Sequence, residues 1–230
     1  MDSVDAELRL ALFTRTDLPL SFPVVVHGVP GCGKTTLLKK LLKVDHRFNI
    51  QSFGVVPPID LAGREIIAAP AKLKEGFNFL DEYTKAENLE GFDLLIGDPL
   101  QVKGCFQKAH YVNSITRRFG RSVCLELLKL GFEIYSAKET DTEVVKANLF
   151  RHKLEGQVVC FELCIQKLLC SHSVPFLTPK DLSGFETSVV TFVTASKDLN
   201  DIISAELYLC LTRARDKLVI LSPNEFNATS

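Results

Sequence analysis

The segment Gly28-Val29-Pro30-Gly31-Cys32-Gly33-Lys34-Thr35-Thr36 fits the spacing G-x-x-x-x-G-K-[ST]. That spacing suits phosphate: glycines let a backbone wrap closely, its N–H groups turn inward, and a following helix offers the positive end of its dipole. Lys34 is expected to reach the β- and γ-phosphates of a nucleoside triphosphate and Thr35 to hold its magnesium ion, with Gly28 to Thr36 as the nucleotide-binding stretch. Pro30 stiffens the crown of the loop. Such a site also needs a strand that ends in a carboxylate. Two stretches qualify, Phe77-Asn-Phe-Leu-Asp81-Glu82 and Phe92-Asp-Leu-Leu-Ile-Gly-Asp98. The adjacent pair suits hydrolysis better, with Asp81 on magnesium and Glu82 orienting and deprotonating a water. Gln101, whose amide both donates and accepts, is then a candidate sensor of the γ-phosphate or of that water. The alternatives are a solvated turn at Asp81-Glu82 and a helix cap at Asp98. His27, beside the loop, reads as a positioning residue rather than a catalytic one.

The elements that must carry these residues alternate between apolar β-branched runs and helical periodicity, which predicts an α/β fold with largely parallel, covered sheets. Strands are expected at Pro23–His27, Ile66–Ala68, Phe77–Leu80 and Phe92–Ile96, and later at Ile134-Tyr135, Val158–Phe161, Val189–Val193 and Leu218–Leu221. Helices are expected at Lys34–Val44, Glu126–Leu130, Cys164–Leu169 and Asp198–Arg213. Val4, Leu8, Ala11 and Leu12 suggest one more helical face near the start. The polar, basic stretch Tyr111–Gly120 is the best join between halves, giving domains 1–115 and 116–230.

With 46% hydrophobic and 24% charged residues among 230, the chain has enough apolar material for compact cores, and disorder is not expected. No apolar run approaches the roughly 20 residues of a membrane span. The acidic start Met1-Asp2-Ser3-Val4-Asp5 does not read as a secretory leader, so a cytoplasmic location and reduced thiols are expected for the seven cysteines. Cys160, Cys164, Cys170 and His172 lack the C-x2-C spacing of compact zinc sites, and Cys160 and Cys164 read as core residues. A net charge of −1 gives no global attraction for nucleic acid, so any such binding needs a local groove.

In their order along the chain these segments resemble the superfamily 1 RNA helicases of alphavirus-like viruses, and specifically the first protein of the plant-virus triple gene block. The similarity runs through Gly28–Thr36, Leu80-Asp81-Glu82-Tyr83, Gly97-Asp98-Pro99-Leu100-Gln101, Arg117-Arg118-Phe119-Gly120, Ser183-Gly184-Phe185-Glu186 with Val189–Phe192, and Leu211-Thr212-Arg213-Ala214-Arg215. It implies two RecA-like P-loop NTPase domains with ATP and Mg2+ between them and no large accessory subdomains. It also implies that Arg118 and Arg213 contact the γ-phosphate as arginine fingers and that Glu186 contacts the ribose. Gly184 would permit close backbone approach, and could touch RNA. The implied role is ATP-driven handling of single-stranded viral RNA in cell-to-cell movement through plasmodesmata, together with suppression of RNA silencing. Implied partners are the coat protein or virion, the small membrane proteins of the same gene block, and other copies of the chain. Ser183 stands where many relatives carry glutamine, and 230 residues leave no room for accessory subdomains; both weigh against processive unwinding. Arg213 and Arg215 could instead complement a helix dipole, and Arg117, Arg118 and Arg121 a solvated turn. Outside the resemblance, a small P-loop kinase and a non-enzymatic nucleotide-binding interaction module are the competing classes.

Overall fold

A computed structural model of the protein describes residues 2–104 and 106–223. The chain divides into two compact units, Met1–Ile115 and Thr116–Ser230.

The first unit is built on a seven-stranded sheet. In spatial order its strands are Thr14–Arg15, Tyr111–Asn113, Val24–Gly28, Leu94–Gly97, Phe77–Asp81, Phe48–Ser52 and Ile66–Ala68. All neighbours run parallel except the Thr14–Arg15 edge, which pairs antiparallel with Tyr111–Asn113. Central strands of a covered parallel sheet bury both faces and are apolar throughout. Val24, Val25 and Val26, and Leu94, Leu95 and Ile96, are accordingly all buried. Helix Lys34–Val44 follows the Val24–Gly28 strand and buries Leu37, Leu38 and Leu41, whose i, i+1, i+4 spacing puts them on one face.

The second unit has a fully parallel four-stranded sheet in the order Glu143–Asn148, Ala214–Ser222, Thr187–Val193, Gln157–Val159. Helix Leu163–Ser171 turns Ile165 and Leu169 onto a core shared with Val158, Cys160 and Val193. Mixed α/β architecture with mainly parallel sheets is therefore what the periodicity predicted.

Several expectations need correction. The stretch expected as one helix, Asp198–Arg213, is a 3-10 turn Leu199–Ile202 and a short helix Ala205–Leu211, separated where the Ser204 side chain caps the second by accepting from Leu207 N. Arg213 thus lies past the helix end. Cys160 and Cys164 do not share a helix, since that helix begins at Leu163; Cys160 is buried and Cys164 exposed. The first helix, Asp2–Leu10, buries Val4 and Leu8, but the chain leaves it before Leu12, which is exposed and has φ 64°.

Candidate functional site

Parallel strands deliver their C-terminal ends to one edge of a sheet, where α/β folds gather their ligand-binding groups. Four adjacent strands of the first unit place Gly28, Gly97 with Asp98, Asp81 and Ser52 along that edge. The register pairs His27 with Gly97, Ile96 with Asp81, and Asp81 with Ser52.

The glycine loop owes its form to backbone that only glycine adopts cheaply. Gly31 and Gly33 have φ of 75° and 103°, and Gly33 caps helix Lys34–Val44 without any side-chain cap. First-turn amides have no intrahelical partner, so Lys34, Thr35 and Thr36 offer theirs to an anion. Gly28 is needed for a different reason: a Cβ there would meet Cys32 Sγ at 2.5 Å. Val29 N already donates to Asn113 O at 3.1 Å, Cys32 N donates to Val29 O at 3.2 Å, and Pro30 has no N–H. These three residues shape the loop. Lys34 Nζ donates to Gly28 O at 2.7 Å and Val29 O at 3.4 Å, and so lies folded back over its own loop. Burial pulls its pKa down, but the negative charges of Cys32, Asp98, Glu82 and Asp81 outweigh it and the net shift is upward.

Asp81 is buried, and Ser52 Oγ donates to its Oδ2 at 2.8 Å. Its other oxygen, Oδ1, is buried with no hydrogen-bond partner among the described residues. Burial, then the Glu82 charge, push the Asp81 pKa up to about 6, against the Ser52 hydrogen bond and Lys34. A buried carboxylate oxygen aimed at nothing is costly, and a hard cation is the partner that suits it. The exposed hydroxyl of Thr35 at the helix start has the same oxygen chemistry. Thr35 and Asp81 thus fit magnesium.

Glu82 is a non-glycine residue in the left-handed region, with φ 53° and ψ 39°. Such backbone costs about 1–3 kcal/mol and is kept where the surroundings over-determine it. Here it turns the chain abruptly after the strand, so that Glu82 Oε2 lies 3.8 Å from Lys85 Nζ and a Cβ on Gly54 would meet Glu82 Cγ at 3.3 Å. Asp98 does cap a short helix: it accepts from Leu100 N at the start of the 3-10 turn Pro99–Gln101. It also takes a hydrogen bond from Gln101 Nε2 at 2.9 Å, which fixes the candidate sensor.

In the second unit Arg118 Nε donates to Glu186 Oε2 at 2.8 Å, and its guanidinium also donates to Thr212 O at 3.3 Å. The arginine and glutamate that the resemblance assigned to phosphate and ribose are therefore partners of each other. Their side chains are 14% and 43% exposed, so the pair is worth little as a tether. Glu186→Gln is expected to change the unfolding free energy by less than about 1 kcal/mol, readable by denaturant titration. Arg213 is buried in the turn before strand Ala214–Ser222, and its carbonyl accepts from Thr187 N. Arg117, Arg121 and Arg215 are exposed. Gly184 has φ 69°, so the turn at Leu182–Phe185 itself calls for glycine.

Ser52 and Gly54 were not anticipated from sequence. The alternation in Phe48-Asn-Ile-Gln-Ser52 was the available signal for the strand that brings them in.

Asp81 also sets a pH dependence. Its folded pKa lies above the unfolded carboxylate value, so the stability it contributes is present at low pH and is lost as pH rises toward and through about 6. Asp81→Asn should therefore raise the stability of the metal-free protein by about 1–2 kcal/mol at pH 8 and much less at pH 4.5. Equal melting temperatures of the two proteins at pH 8 would contradict it. Protonation also competes with magnesium, whose binding should weaken below pH 6.

Comparisons agree with the class this edge defines. A family model described as the viral superfamily 1 RNA helicase core domain matches residues 24–222. The movement and silencing protein TGBp1 of Apple stem pitting virus is 36% identical over 96% of this chain and all of its own length. The protein of that name from Poplar mosaic virus is also 36% identical, with both chains fully covered. The chain therefore belongs to the viral superfamily 1 RNA helicases, in the branch formed by the first triple-gene-block proteins of plant viruses. Among solved structures, the arterivirus nonstructural protein 10 helicase shares the fold, with TM-score 0.56 and 18% identity over 98% of this chain. This chain spans 57% of that helicase, and 54% of the same protein in its complex with DNA, where the TM-score is 0.53.

Proposed function

We propose that the protein is a magnesium-dependent nucleoside triphosphatase coupled to single-stranded RNA, built from two RecA-like units with the glycine loop in the first. The observation that carries this reading is Asp81 Oδ1, a buried and unsatisfied carboxylate oxygen on the same strand edge as a phosphate-type loop with Lys34 inside it. Magnesium, held by Thr35 and Asp81, would neutralise phosphate charge. Lys34 leaves the Gly28 and Val29 carbonyls for the β- and γ-phosphate oxygens, and the amides of the first helical turn bind alongside it. Glu82 accepts a proton from the water whose oxygen attacks the γ-phosphorus, and the bond to the β-phosphate oxygen breaks to release ADP and phosphate. Gln101, steadied by Asp98, orients that water. Arg118 and Arg213 supply positive charge to the γ-phosphate, and Arg118 must first give up part of its hold on Glu186 to do so.

The names of the relatives support a role in movement of viral RNA between cells and in silencing suppression. Coat protein or virions, the small membrane proteins of the gene block and further copies of the chain are the proposed partners, met in the host cytoplasm and at plasmodesmata. Among the described residues no helix is long and apolar enough to cross a membrane.

The test is phosphate release by purified protein with and without single-stranded RNA and with no added acceptor. Release stimulated by RNA supports the reading. An obligate small-molecule acceptor would make the protein a kinase, and nucleotide binding without release would make it an interaction module.

A further inference from the structure

His27 lies on one strand and Tyr83 opens the 3-10 turn Tyr83–Lys85 just past the end of another, and those two strands are not neighbours. His27 is on Val24–Gly28, Tyr83 follows Phe77–Asp81 by two residues, and strand Leu94–Gly97 runs between the two. Yet His27 Nε2 and Tyr83 Oη are 2.7 Å apart, with rings 8° from parallel and centroids 5.9 Å apart. The residue between them is Gly97, paired with His27 in the ladder. A Cβ on Gly97 would press against the Tyr83 ring at 3.1 and 3.3 Å. The missing side chain is the opening through which the two rings meet.

We infer that His27 and Tyr83 are positioning residues that set the separation between the glycine loop and Glu82. His27 immediately precedes Gly28, and Tyr83 immediately follows Glu82, so one hydrogen bond ties the loop to the base across an intervening strand. Tyr83 packs on Val25, Leu80 and Leu95, which makes its hydroxyl a fixed point. Burial keeps His27 uncharged, its pKa lowered to about 4, so the tie does not open near neutral pH. Glu82 holds a left-handed backbone between the Asp81 strand and this anchor, and the anchor directs its carboxylate.

This inference rests on the triphosphatase reading, and the experiment separates the two. Wild-type phosphate release, lost in Lys34→Ala, must first be established; without it the triphosphatase reading falls and takes this one with it. Given that activity, Tyr83→Phe and His27→Ala should each lower kcat about tenfold and leave nucleotide KM within about twofold, as expected when water activation is misplaced and binding is not. The double variant should be no worse than either single one, because both remove one bond. His27→Gln, which returns a polar group near the position of Nε2, should recover part of kcat. Melting temperatures identify variants that fail by unfolding, and for those the ratio of kcat to the folded fraction is compared. Unchanged kcat in Tyr83→Phe, or a loss confined to KM, would overturn the inference while leaving the triphosphatase intact.

Discussion

Lys34→Ala should reduce phosphate release by about two to three orders of magnitude, the range seen when one preorganised charge is removed from a transition state. The residue has two states. Without nucleotide its ammonium is satisfied by Gly28 O and Val29 O, so the half-buried charge is not left bare. In the proposed nucleotide-bound state it would meet the γ-phosphate as negative charge is redistributed in the reaction. Alanine removes both states. It also leaves Asp81, Glu82 and Asp98 without the cation they share, so the Asp81 pKa should climb further and magnesium should bind less well at pH 7. Lys34→Arg should not rescue turnover, because a planar fork cannot take the place of a compact ammonium inside a tight loop. Turnover within a few-fold of wild type in either variant would sink the assignment.

Gly120→Ala should unfold the second unit more readily than any surface change, for reasons of space alone. A Cβ at 120 would sit 2.2 Å from Asp141 Oδ1, 2.3 Å from Thr142 N and 2.6 Å from Asp141 Cα. Two of those are backbone atoms that cannot swing aside. The 141–142 segment is pinned as well: Thr142 Oγ1 accepts from Gly120 N and donates to Arg215 O, and Asp141 accepts from both the amide and the hydroxyl of Ser122. Overpacking of this kind costs about 1–3 kcal/mol or more, equivalent to a loss on the order of 10 °C in the melting temperature of that unit. An unchanged melt with impaired nucleotide binding would instead show that Gly120 is required by a ligand. Phe119 is fully buried, so of the four residues Arg117 to Gly120, two serve packing, while the Arg118 guanidinium reaches Glu186 and Thr212 O.

How much of this was legible follows from how local each feature is. Helix Lys34–Val44 and strand Ile66–Ala68 have the bounds their sequence patterns predict, because periodicity and flanking glycines are written in contiguous residues. Phe48–Ser52 was not anticipated although its apolar and polar residues alternate. Gln51 and Ser52 look like surface residues, but both are buried, Gln51 through bonds with Ala71 and Ser52 through Asp81. Tyr111–Asn113 is a strand only because two neighbours hold it, and nothing in three residues announces that. At the site, the glycine loop is contiguous and was readable. The pairing of Arg118 with Glu186, 68 residues apart, and of His27 with Tyr83 across Gly97, are products of packing that no spacing rule encodes.

The order of strands in the second unit bears on how a ribosome makes this protein. Ala214–Ser222 is last of the four in the chain but sits inside the sheet, between Glu143–Asn148 and Thr187–Val193. Until it has emerged, those two strands have no common neighbour, and parallel pairing gives no hairpin on which to begin. The first unit, whose central strands all precede residue 114, can assemble while the rest is still being translated. A nascent chain halted anywhere between the two events would carry a finished glycine loop followed by strands that still lack their central neighbour, the state most exposed to chaperones and to aggregation.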